Sequence, residues 1–309
     1  MHTPSRLISV CICTYQRPDG LRKALQSLLD MQTPSGCRVE IIVVDNAPAG
    51  CAAAVVDSFL SADPLLHLKY LQEPSPGVSH ARNRCLDSAT GEVMAFIDDD
   101  EFVEPQWLVE LIRCLDSTGA DAVFGPVVPF FEVSPTAWLV ASRVNDRMRF
   151  ATGTALPWRD ARTGNVMLSR RMIEGGHRFS TEFARTGGED SLFFATTIQR
   201  GCKLVWCDEA VVQESVPAER MARAWVLHRA FMGGRTYVRL EARLGQHRWP
   251  YAYFALRGLL SALVSMVVIA ALYVRGDDQH VRQLCRLYGH LGKIAARFYS
   301  DGPYAGGQQ

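Results

Sequence analysis

The sequence lacks several features that would assign it to a specialised class of protein. Its 309 residues carry no internal repeat, no low-complexity segment and almost no net charge, with 33 Lys and Arg against 32 Asp and Glu. With 48% hydrophobic and 21% charged residues, this composition excludes a disordered chain, a collagen-like repeat and a small disulfide scaffold. A formal net charge of +1 argues against a general nucleic-acid binder. The length fits one large domain with an appendage, since domains average roughly 150 residues.

None of the nine cysteines belongs to a C-x-x-C pair, so zinc-ligand spacing is missing from the sequence. Several of them lie inside apolar runs, where a free thiol packs as a small core residue. The opening segment, MHTPSRLISV, has neither a long apolar stretch nor a small-residue cleavage site, which predicts no signal peptide. We therefore expect a reducing compartment, the cytoplasm.

Charge is unevenly distributed along the chain. Residues 216–300 carry thirteen Lys and Arg against four acidic residues, while residues 1–215 carry 20 basic and 27 acidic residues. An acidic first part joined to a basic last part indicates two functions. We therefore divide the chain into residues 1–225 and a basic helical C-terminal region, residues 226–309.

Short apolar runs alternate with helical patterns through the first half of the chain. The pattern predicts strands over 7–13, 39–44, 66–71, 93–97 and 122–124, and helices over 18–30, 49–60, 77–88 and 105–115. Further along we expect a strand over 163–169 and a helix over 190–200. Strands separated by single helices predict an α/β fold with a mostly parallel sheet, in which ligands bind beyond the carboxyl ends of the strands. Three of these ends carry polar clusters, at residues 14–17, 45–46 and 98–100.

Three consecutive carboxylates, those of Asp98, Asp99 and Asp100, directly follow the apolar strand MAFI. Like charges ~4 Å apart cost about 1 kcal/mol even in bulk water, and more near a protein surface. A divalent cation bound through one or two of these oxygens removes the repulsion, with phosphate oxygens completing its shell. The alternative is a solvated acidic turn. The buried strand that precedes the triplet favours the metal and phosphate site.

Four further residues, at three places in the sequence, allow both a functional and a structural interpretation. Asp45 follows the apolar run IIVV, so it can accept from a base N–H or a sugar hydroxyl, or it can cap a turn. Arg82, in the first turns of a predicted helix, suits an anionic phosphate, or it is a surface arginine. Glu189 and Asp190 follow two glycines and begin a helix, where acidic residues commonly serve the macrodipole and the cap. The glycines allow a backbone to approach closely and keep a catalytic role open.

Taken in order, the segments CTYQR, VVDN, GVSHARN, FIDDDE and GGED resemble family 2 glycosyltransferases with the GT-A fold. The resemblance covers roughly residues 6–240. The longer stretches CTYQRP, ARNRCLDSATGEVMAFIDDDE, GGEDSLFF and VQESVPAER are most similar to bacterial exopolysaccharide glucosyltransferases of the succinoglycan type. The resemblance implies that residues 1–225 form a Rossmann-like, mostly parallel α/β domain that binds a nucleotide-diphospho-sugar and a divalent cation, Mn²⁺ or Mg²⁺.

The resemblance also implies which residues bind the nucleotide-sugar. Thr14, Tyr15 and Arg17 match the loop after the first strand that packs around the nucleotide. Asp45 matches the carboxylate that reads the uracil base, and Arg82 matches a helix residue near the nucleotide.

The metal and catalytic residues follow from the same resemblance. Asp98 and Asp100 match the DxD pair, with Asp98 toward the ribose and the metal and Asp100 on the metal. Asp99, between them, is assigned to the nucleotide-sugar site. Asp190 matches the general base, and Glu189 beside it a positioning or acceptor-binding group.

One position departs from the family pattern. The family often carries a histidine just after the last strand of the domain, as a further metal or phosphate contact. This chain has Gln213 there, followed by Glu214. A neutral amide is a poorer ligand, so the contact could pass to Glu214 or to water, or be lost.

The resemblance implies a direct displacement in which one carboxylate takes the proton of an acceptor hydroxyl and the anomeric configuration inverts. The expected donor is a UDP-hexose and the expected acceptor a lipid-linked glycan, in exopolysaccharide or cell-surface glycan biosynthesis. Two alternatives stay open: a catalytically inactive, membrane-bound scaffold that binds nucleotide-sugars, and a sugar nucleotidyltransferase. Against the second, the first predicted strand is not followed by a Gly-rich phosphate loop with a lysine.

The C-terminal region contains an apolar segment. Residues 258–274 carry no charge but would span only about 25 Å as a helix, against a ~30 Å hydrocarbon core. Starting at residue 251 supplies the length and brings in Arg257, which could snorkel to the interface. Both flanks are basic, so the positive-inside rule favours neither orientation of a single span.

We therefore expect the segment 251–274 to lie in the interface or to re-enter, with the basic amphipathic helix 279–299 against anionic lipid. A buried core helix is the alternative. The expected location is the cytoplasmic face of the bacterial inner membrane, as a peripheral or monotopic protein, with no nucleic-acid partner.

Overall fold

The computed structural model describes residues 6–245, 247–277 and 279–298, without the side chains of residues 141 and 142. Its strands, in chain order, are β1 (Arg6–Thr14), β2 (Cys37–Asp45), β3 (Leu68–Gln72), β4 (Val93–Asp98), β5 (Glu101–Val103), β6 (Ala122–Phe124), β7 (Val127–Phe131), β8 (Val166–Ser169), β9 (Leu204–Trp206) and β10 (Val212–Val216). The helices are α1 (Pro18–Asp30), α2 (Ala53–Ala62), α3 (Val78–Ser88), α4 (Trp107–Thr118), α5 (Ala137–Ser142), α6 (Arg170–Glu174), α7 (Glu189–Gln199), α8 (Arg223–Leu244), α9 (Pro250–Val274) and α10 (His280–Ala295). Short 3₁₀ helices cover Thr181–Phe183 and Ala218–Met221.

The main sheet has seven strands in the order β3-β2-β1-β4-β8-β6-β9. β1 pairs in parallel with β2 and β4, and β2 pairs in parallel with β3. β8 is antiparallel to both β4 and β6, so the predicted mostly parallel sheet is confirmed with one inverted strand. The register places Thr14 beside Asp45 and Cys13 beside Asp98. Three polar strand ends therefore meet at one edge.

A second, three-stranded sheet has the order β5-β10-β7. β10 runs antiparallel to β5 and parallel to β7. Glu214 of β10 pairs with Glu101, the first residue of β5. Because Glu101 is three residues beyond Asp98, this pairing places Glu214 close to the acidic triplet.

The core occupies both faces of the main sheet, because strand side chains alternate between faces. On β4, Val93, Ala95 and Ile97 join one hydrophobic cluster, while Met94 and Phe96 join the other. The first cluster includes side chains of α1, α2 and α4, and the second includes side chains of α3 and α7. Burying a Val, Ile, Met or Phe side chain contributes roughly 1.5–3 kcal/mol to the stability of the fold.

Three helices form the C-terminal part of the described chain. α10 packs against both α8 and α9. A methyl group added at Gly234 of α8 would lie 2.0 Å from the carbonyl oxygen of Gly289, and one at Gly292 of α10 would lie 2.0 Å from that of Phe231. The backbones of α8 and α10 therefore touch. Within the described residues, α9 is the one helix long and apolar enough to cross a membrane, by length and composition only.

The predicted boundary between residues 225 and 226 falls inside α8. The division of the chain into two parts therefore stays a prediction. The predicted helix 279–299 is present as α10, while Tyr299 and the residues after it lie outside the described part of the chain.

Candidate active site

An open cleft of about 900 Å³ lies where the main sheet presents the carboxyl ends of β1 and β4. Its walls include nine of the ten residues that the sequence predicts for the site: Thr14, Tyr15, Arg17, Arg82, Asp98, Asp99, Asp100, Glu189 and Asp190. The parallel pairing of β1 with β4 brings the segment 14–17 and the segment 98–100 together, although Thr14 and Asp99 are 85 positions apart in the sequence.

Asp45, the tenth residue, lies outside the cleft walls and is fully buried. One carboxylate oxygen accepts from the backbone N–H of Ala47 at 2.8 Å. The other accepts from the N–H of Ala52 at 2.9 Å and from the hydroxyl of Tyr70 at 3.2 Å. In this structure Asp45 caps the turn after β2, which was the structural interpretation of its position. A contact from Asp45 to the base stays a prediction.

Asp99 anchors the loop that follows β1. The Thr14 hydroxyl donates to one of its carboxylate oxygens at 2.8 Å, and Arg17 Nη1 donates to the other at 2.9 Å. Burial raises the pKa of Asp99, Arg17 lowers it and Asp100 raises it again, leaving the pKa at about 6. Asp99, the middle residue of the triplet, therefore holds Thr14 and Arg17 of the loop after β1 in place in the cleft wall.

Asp100 lies between two guanidinium groups. Its Oδ2 is 3.0 Å from Nη1 of Arg17 and 2.7 Å from Nη1 of Arg220. Arg220 belongs to the 3₁₀ helix that follows β10 and was not assigned a role from the sequence, although it ends the stretch VQESVPAER. The same guanidinium lies 3.7 Å from Glu214 Oε1.

Arg82 connects the DxD segment to the helix that carries the candidate base. Its side chain is buried, binds Glu189 Oε1 through Nη1, and reaches Asp98 Oδ1 through Nη2 at 3.5 Å. Burial raises the pKa of Glu189, Arg82 lowers it and Asp190 raises it, leaving the pKa at about 7. Arg82 is therefore an internal residue, and the surface interpretation of its position is wrong.

The start of α7 is set by a left-handed glycine. Gly188 has φ +99°, and a methyl group there would meet the Thr236 side chain of α8 at 2.7 Å. Glu189 and Asp190 form the first turn that follows. Asp190 Oδ1 accepts from the backbone N–H of Ser191 at 2.6 Å, so part of its carboxylate caps the helix while the residue lines the cleft.

Acidic side chains converge around the end of β4. Burial, together with the charges of Asp100 and Glu214, raises the pKa of Asp98 although Arg82 opposes the shift. Burial and the neighbouring Asp98 raise the pKa of Glu101 well above its usual range. Such repulsion between like charges is what a divalent cation relieves.

The acidic residues fit a cation that shares its shell with a substrate. Within residues 6–245, 247–277 and 279–298, no group of three or more His, Cys, Asp or Glu side chains is arranged to hold a metal ion by itself. Mg²⁺ and similar cations are commonly held by one or two carboxylates plus substrate phosphates. Asp98 and Asp100 supply those two carboxylates, so the residues present fit such a group.

Gln213 does not face the acidic cluster. Its amide nitrogen donates to the Glu104 carboxylate. The next residue, Glu214, binds Arg147 and lies beside Arg220 in the cleft. Of the three outcomes considered for the missing histidine, the placement of Glu214 favours a shift of the contact to that carboxylate.

The wall opposite the sheet comes from an irregular segment and from α8. The Arg159 guanidinium lies 4.3 Å from the centroid of the Trp158 ring and 2.8 Å from Oε1 of the buried Glu241. Tyr237 and Leu240 of α8 complete this wall. These residues were not predicted for the site, because they lie neither at a strand end nor next to an acidic or glycine motif. The only signal was the aromatic residue beside an arginine.

The cleft walls are electrostatically balanced. They carry eight arginines and eight acidic residues: Arg17, Arg82, Arg147, Arg159, Arg162, Arg185, Arg220 and Arg229 against Asp98, Asp99, Asp100, Glu101, Asp160, Glu189, Asp190 and Glu214. The raised pKa values of Glu101 and Glu189 reduce the negative charge of the cleft at neutral pH, and a bound divalent cation would favour the ionised forms of the carboxylates around it.

Comparison with known sequences gives the following relatives. The family model described as Glycosyl transferase family 2 matches residues 9–174. The succinoglycan biosynthesis protein ExoM of Rhizobium meliloti (strain 1021) is 35% identical over 237 residues, which are 76% of this chain and 75% of ExoM. Glycosyltransferase AglE of Haloferax volcanii is 24% identical over 168 residues, which are 54% of each chain.

Comparison with solved structures identifies the fold. The mannosyltransferase PcManGT from Pyrobaculum calidifontis, in complex with GDP-Man and Mn²⁺, has a TM-score of 0.65 at 18% identity and covers 94% of this chain and 87% of its own. The S. aureus protein TarS, residues 1–349 in complex with UDP-GlcNAc, has a TM-score of 0.52 at 16% identity and covers 94% and 91%. These likenesses show the GT-A fold.

Proposed function

The chain belongs to glycosyl transferase family 2, and we propose that it transfers a hexose from a UDP-hexose donor to a hydroxyl of a lipid-linked glycan acceptor with inversion. The process would be exopolysaccharide or cell-surface glycan biosynthesis, which is supported by the relative ExoM, named as a succinoglycan biosynthesis protein. One observation carries the proposal: Arg82 binds both Asp98 of the DxD segment and Glu189, the neighbour of the candidate base Asp190. The DxD segment and the candidate base therefore share one cleft.

The donor side is assigned to the loop after β1, the DxD segment and the 3₁₀ helix with Arg220. Asp98 and Asp100 would hold the divalent cation, which supplies charge neutralisation at the leaving diphosphate when bound. Arg17 and Arg220, already within 3.0 Å of Asp100, are placed to donate hydrogen bonds to phosphate oxygens beside it. PcManGT contains both a nucleotide-sugar and Mn²⁺, which supports the assignment.

The acceptor side is assigned to α7, the segment around Trp158 and α8. Asp190 would take the proton of the attacking hydroxyl, and Arg82 would hold Glu189 so that the first turn of α7 keeps its place. A single carboxylate base, with attack from the face opposite the leaving nucleotide, inverts the anomeric carbon. An α-linked donor would give a β-linked product.

The proposed location is the cytoplasmic face of the bacterial inner membrane. The support is α9, with a mean hydropathy of 2.2 over its most apolar window and 17% of that window buried.

Isothermal titration with UDP- and GDP-sugars, each with Mn²⁺, Mg²⁺ or EDTA, tests the donor assignment. We expect metal-dependent binding of one donor that Asp100→Ala abolishes. Asp30→Ala is the matched control, because Asp30 is an exposed carboxylate at the end of α1, outside the cleft walls, that accepts from Gln26. If a folded protein binds none of these donors with any metal, the proposed function is wrong.

Replacing the candidate base separates an enzyme from a binding scaffold. We expect Asp190→Asn to reduce turnover by at least ~100-fold and to leave donor affinity within about twofold, since the amide cannot accept the proton. The measurement pairs a glycosyl-transfer assay with donor titration. Unchanged turnover would remove Asp190 from the mechanism.

A further inference from the structure

Helix α9 presents one side to the protein and most of its surface to the surroundings. Phe254, Gly258, Ala262 and Ser265 are its buried residues, spaced as one helical face. The exposed surface is apolar and includes the following side chains: Leu256, Leu259, Leu260, Leu263, Val264 and Val267. A continuous apolar surface of this size marks an interaction site.

The position of α10 determines how α9 can meet a bilayer. Gly258 of α9 lies against the backbone of His290 and the side chains of Lys293 and Ile294, so α10 runs back along α9. Another side of α10 touches the backbone of α8 at Gly234. α8 in turn forms a wall of the cleft. If α9 crossed a membrane in this arrangement, α10 and α8 would enter the hydrocarbon with it.

The charged side chains of α9, α10 and the segment between them oppose such a crossing. Arg282 and Arg286 are exposed on α10, and Arg257 is exposed on α9 with its guanidinium bound to the Tyr253 hydroxyl at 2.9 Å. Arg275 is exposed immediately after α9. Guanidinium groups are unfavourable in hydrocarbon but favourable beside the anionic headgroups of a bilayer surface.

We propose that α9 lies in the plane of an anionic phospholipid bilayer, half-immersed through its outer face, and does not cross it. The basic side chains around it meet the headgroups. The immersed helix also touches the cleft wall, because Phe254 packs edge-on against Tyr237 at 5.4 Å between ring centroids, and Tyr237 lines the cleft. This inference extends the proposed membrane location and does not depend on the proposed chemistry.

Vesicle binding of the purified full chain tests the inference. The vesicles contain phosphatidylcholine alone or phosphatidylcholine with phosphatidylglycerol. We expect binding to the anionic vesicles that weakens with salt, and a loss of at least ~10-fold in Leu263→Asp/Val267→Asp. Leu65→Asp is the control, because Leu65 is 87% exposed and lies in a turn of the catalytic domain. If Leu263→Asp/Val267→Asp binds the anionic vesicles as tightly as the control Leu65→Asp does, the inference is wrong.

Cysteine labelling separates an in-plane helix from a spanning one. Arg248→Cys and Arg275→Cys place thiols at exposed positions just before and just after α9, at the level of the headgroups in the proposed arrangement. In sealed vesicles with the protein added outside, an impermeant maleimide should label both above the parent chain. If only one end is labelled until the vesicles are opened, α9 crosses the bilayer and the inference is wrong.

Two further readouts assign a failure to its cause. Donor titration of the same variants should be unchanged, so lost donor binding with intact vesicle binding would count against the proposed chemistry alone. Size-exclusion chromatography with light scattering reports self-association. A dimer that Leu263→Asp/Val267→Asp dissociates, without an effect on vesicle binding, would assign the apolar face to a second copy of the chain and overturn the inference.

Discussion

Individual guanidinium groups hold the carboxylates of the cleft in position. Arg82 bridges Glu189 and Asp98, and Arg17 bridges Asp99 and Asp100. Because buried charges are stable only when paired, each arginine keeps two acidic residues close to the sheet edge. Arg220, from the 3₁₀ helix that follows β10, lies beside Asp100 and Glu214.

Removing the Arg220 guanidinium should make a carboxylate oxygen available to a cation. We expect Arg220→Ala to raise the Mn²⁺ affinity of the donor-free protein several-fold and to lower donor affinity at saturating Mn²⁺ by roughly 10-fold. Electron paramagnetic resonance titration of free Mn²⁺ measures the first effect, and calorimetry the second. Arg223→Ala is the control, because this nearby arginine lies outside the cleft walls, with its guanidinium 5.0 Å from the Trp138 ring centroid. Weaker Mn²⁺ binding without donor would contradict the competition.

Glu40 provides a residue-scale prediction about stability and pH. Burial alone would raise its pKa, but hydrogen bonds from Lys69, Ser9 and Thr90 lower the pKa from its ordinary 4.5 to about 2. The stabilisation is therefore complete above about pH 4.5 and is lost as the pH falls through about 2.

We expect Glu40→Gln to lower the free energy of unfolding by roughly 2 kcal/mol at pH 7, after a discount for the half-exposed Lys69, and by much less near pH 2. Urea unfolding at pH 7 and pH 3 measures the difference, which should shrink at pH 3. Glu92→Gln, an exposed position, serves as the control. A loss that is independent of pH would mean that packing is responsible, and not charge.

At the scale of elements, the C-terminal helices depend on close backbone contact. A methyl group at Gly234 or Gly292 would collide with a carbonyl oxygen of the opposing helix, whereas one at Gly289 would have its nearest atom, the Ala230 oxygen, at 3.6 Å. Helix interiors normally disfavour glycine by about 1 kcal/mol relative to alanine. The residue is therefore useful at the first two positions and dispensable at the third.

Alanine substitutions should separate these glycines. We expect Gly234→Ala and Gly292→Ala each to destabilise the protein by about 1–3 kcal/mol, because neither carbonyl can move without shifting a helix. Gly289→Ala should be neutral or stabilising by up to ~1 kcal/mol. Thermal unfolding measures all three. Equal melting temperatures would show that α8 and α10 are further apart than described.

At the scale of the whole molecule, α8 belongs to both parts of the chain. One side contributes Thr236, Tyr237 and Leu240 to the cleft, and another packs on α10. The charge boundary in the sequence therefore does not coincide with a structural boundary. The basic helices are joined to the catalytic domain through a shared element.

Truncation after Gly245 tests this coupling. Without α9 and α10, the side of α8 that faces α10 would be exposed to water. We expect the melting temperature to fall by roughly 5–10 °C, consistent with a loss of a few kcal/mol in a chain of this size, and donor affinity to fall as well. Calorimetry on both chains measures these changes. If the truncated chain keeps both values, residues 1–245 are independent and the two-part division of the chain is supported.

The sequence predicted the strands of the main sheet better than those of the second sheet. The parallel strands β1 to β4 and their helices were predicted because each has an apolar run and a nearby partner. The sheet of β5, β10 and β7 was missed, because β5 has three residues and pairs with residues more than 100 positions away. β5 also opens with the acidic Glu101 and follows closely on β4, so it does not stand out as a separate apolar run.

The same distinction applies to the cleft. The residues at strand ends were predicted, since a parallel sheet brings those ends together. Arg220, Trp158 and Arg159 were not, because their positions depend on irregular segments. Asp45 shows the remaining limit: its place at a strand end was predicted, but its orientation toward Ala47 and Ala52 depends on the loop that follows.

If α9 lies in a bilayer as proposed, its apolar outer face also determines which acceptor concentration sets the rate of transfer. A chain held flat on a bilayer meets a lipid-linked acceptor by diffusion in two dimensions, so the acceptor's mole fraction in the bilayer sets the encounter rate. Diluting the acceptor with inert lipid would slow transfer even when its amount per volume stays constant. A water-soluble acceptor analogue would be insensitive to such dilution, because it reaches the cleft from solution.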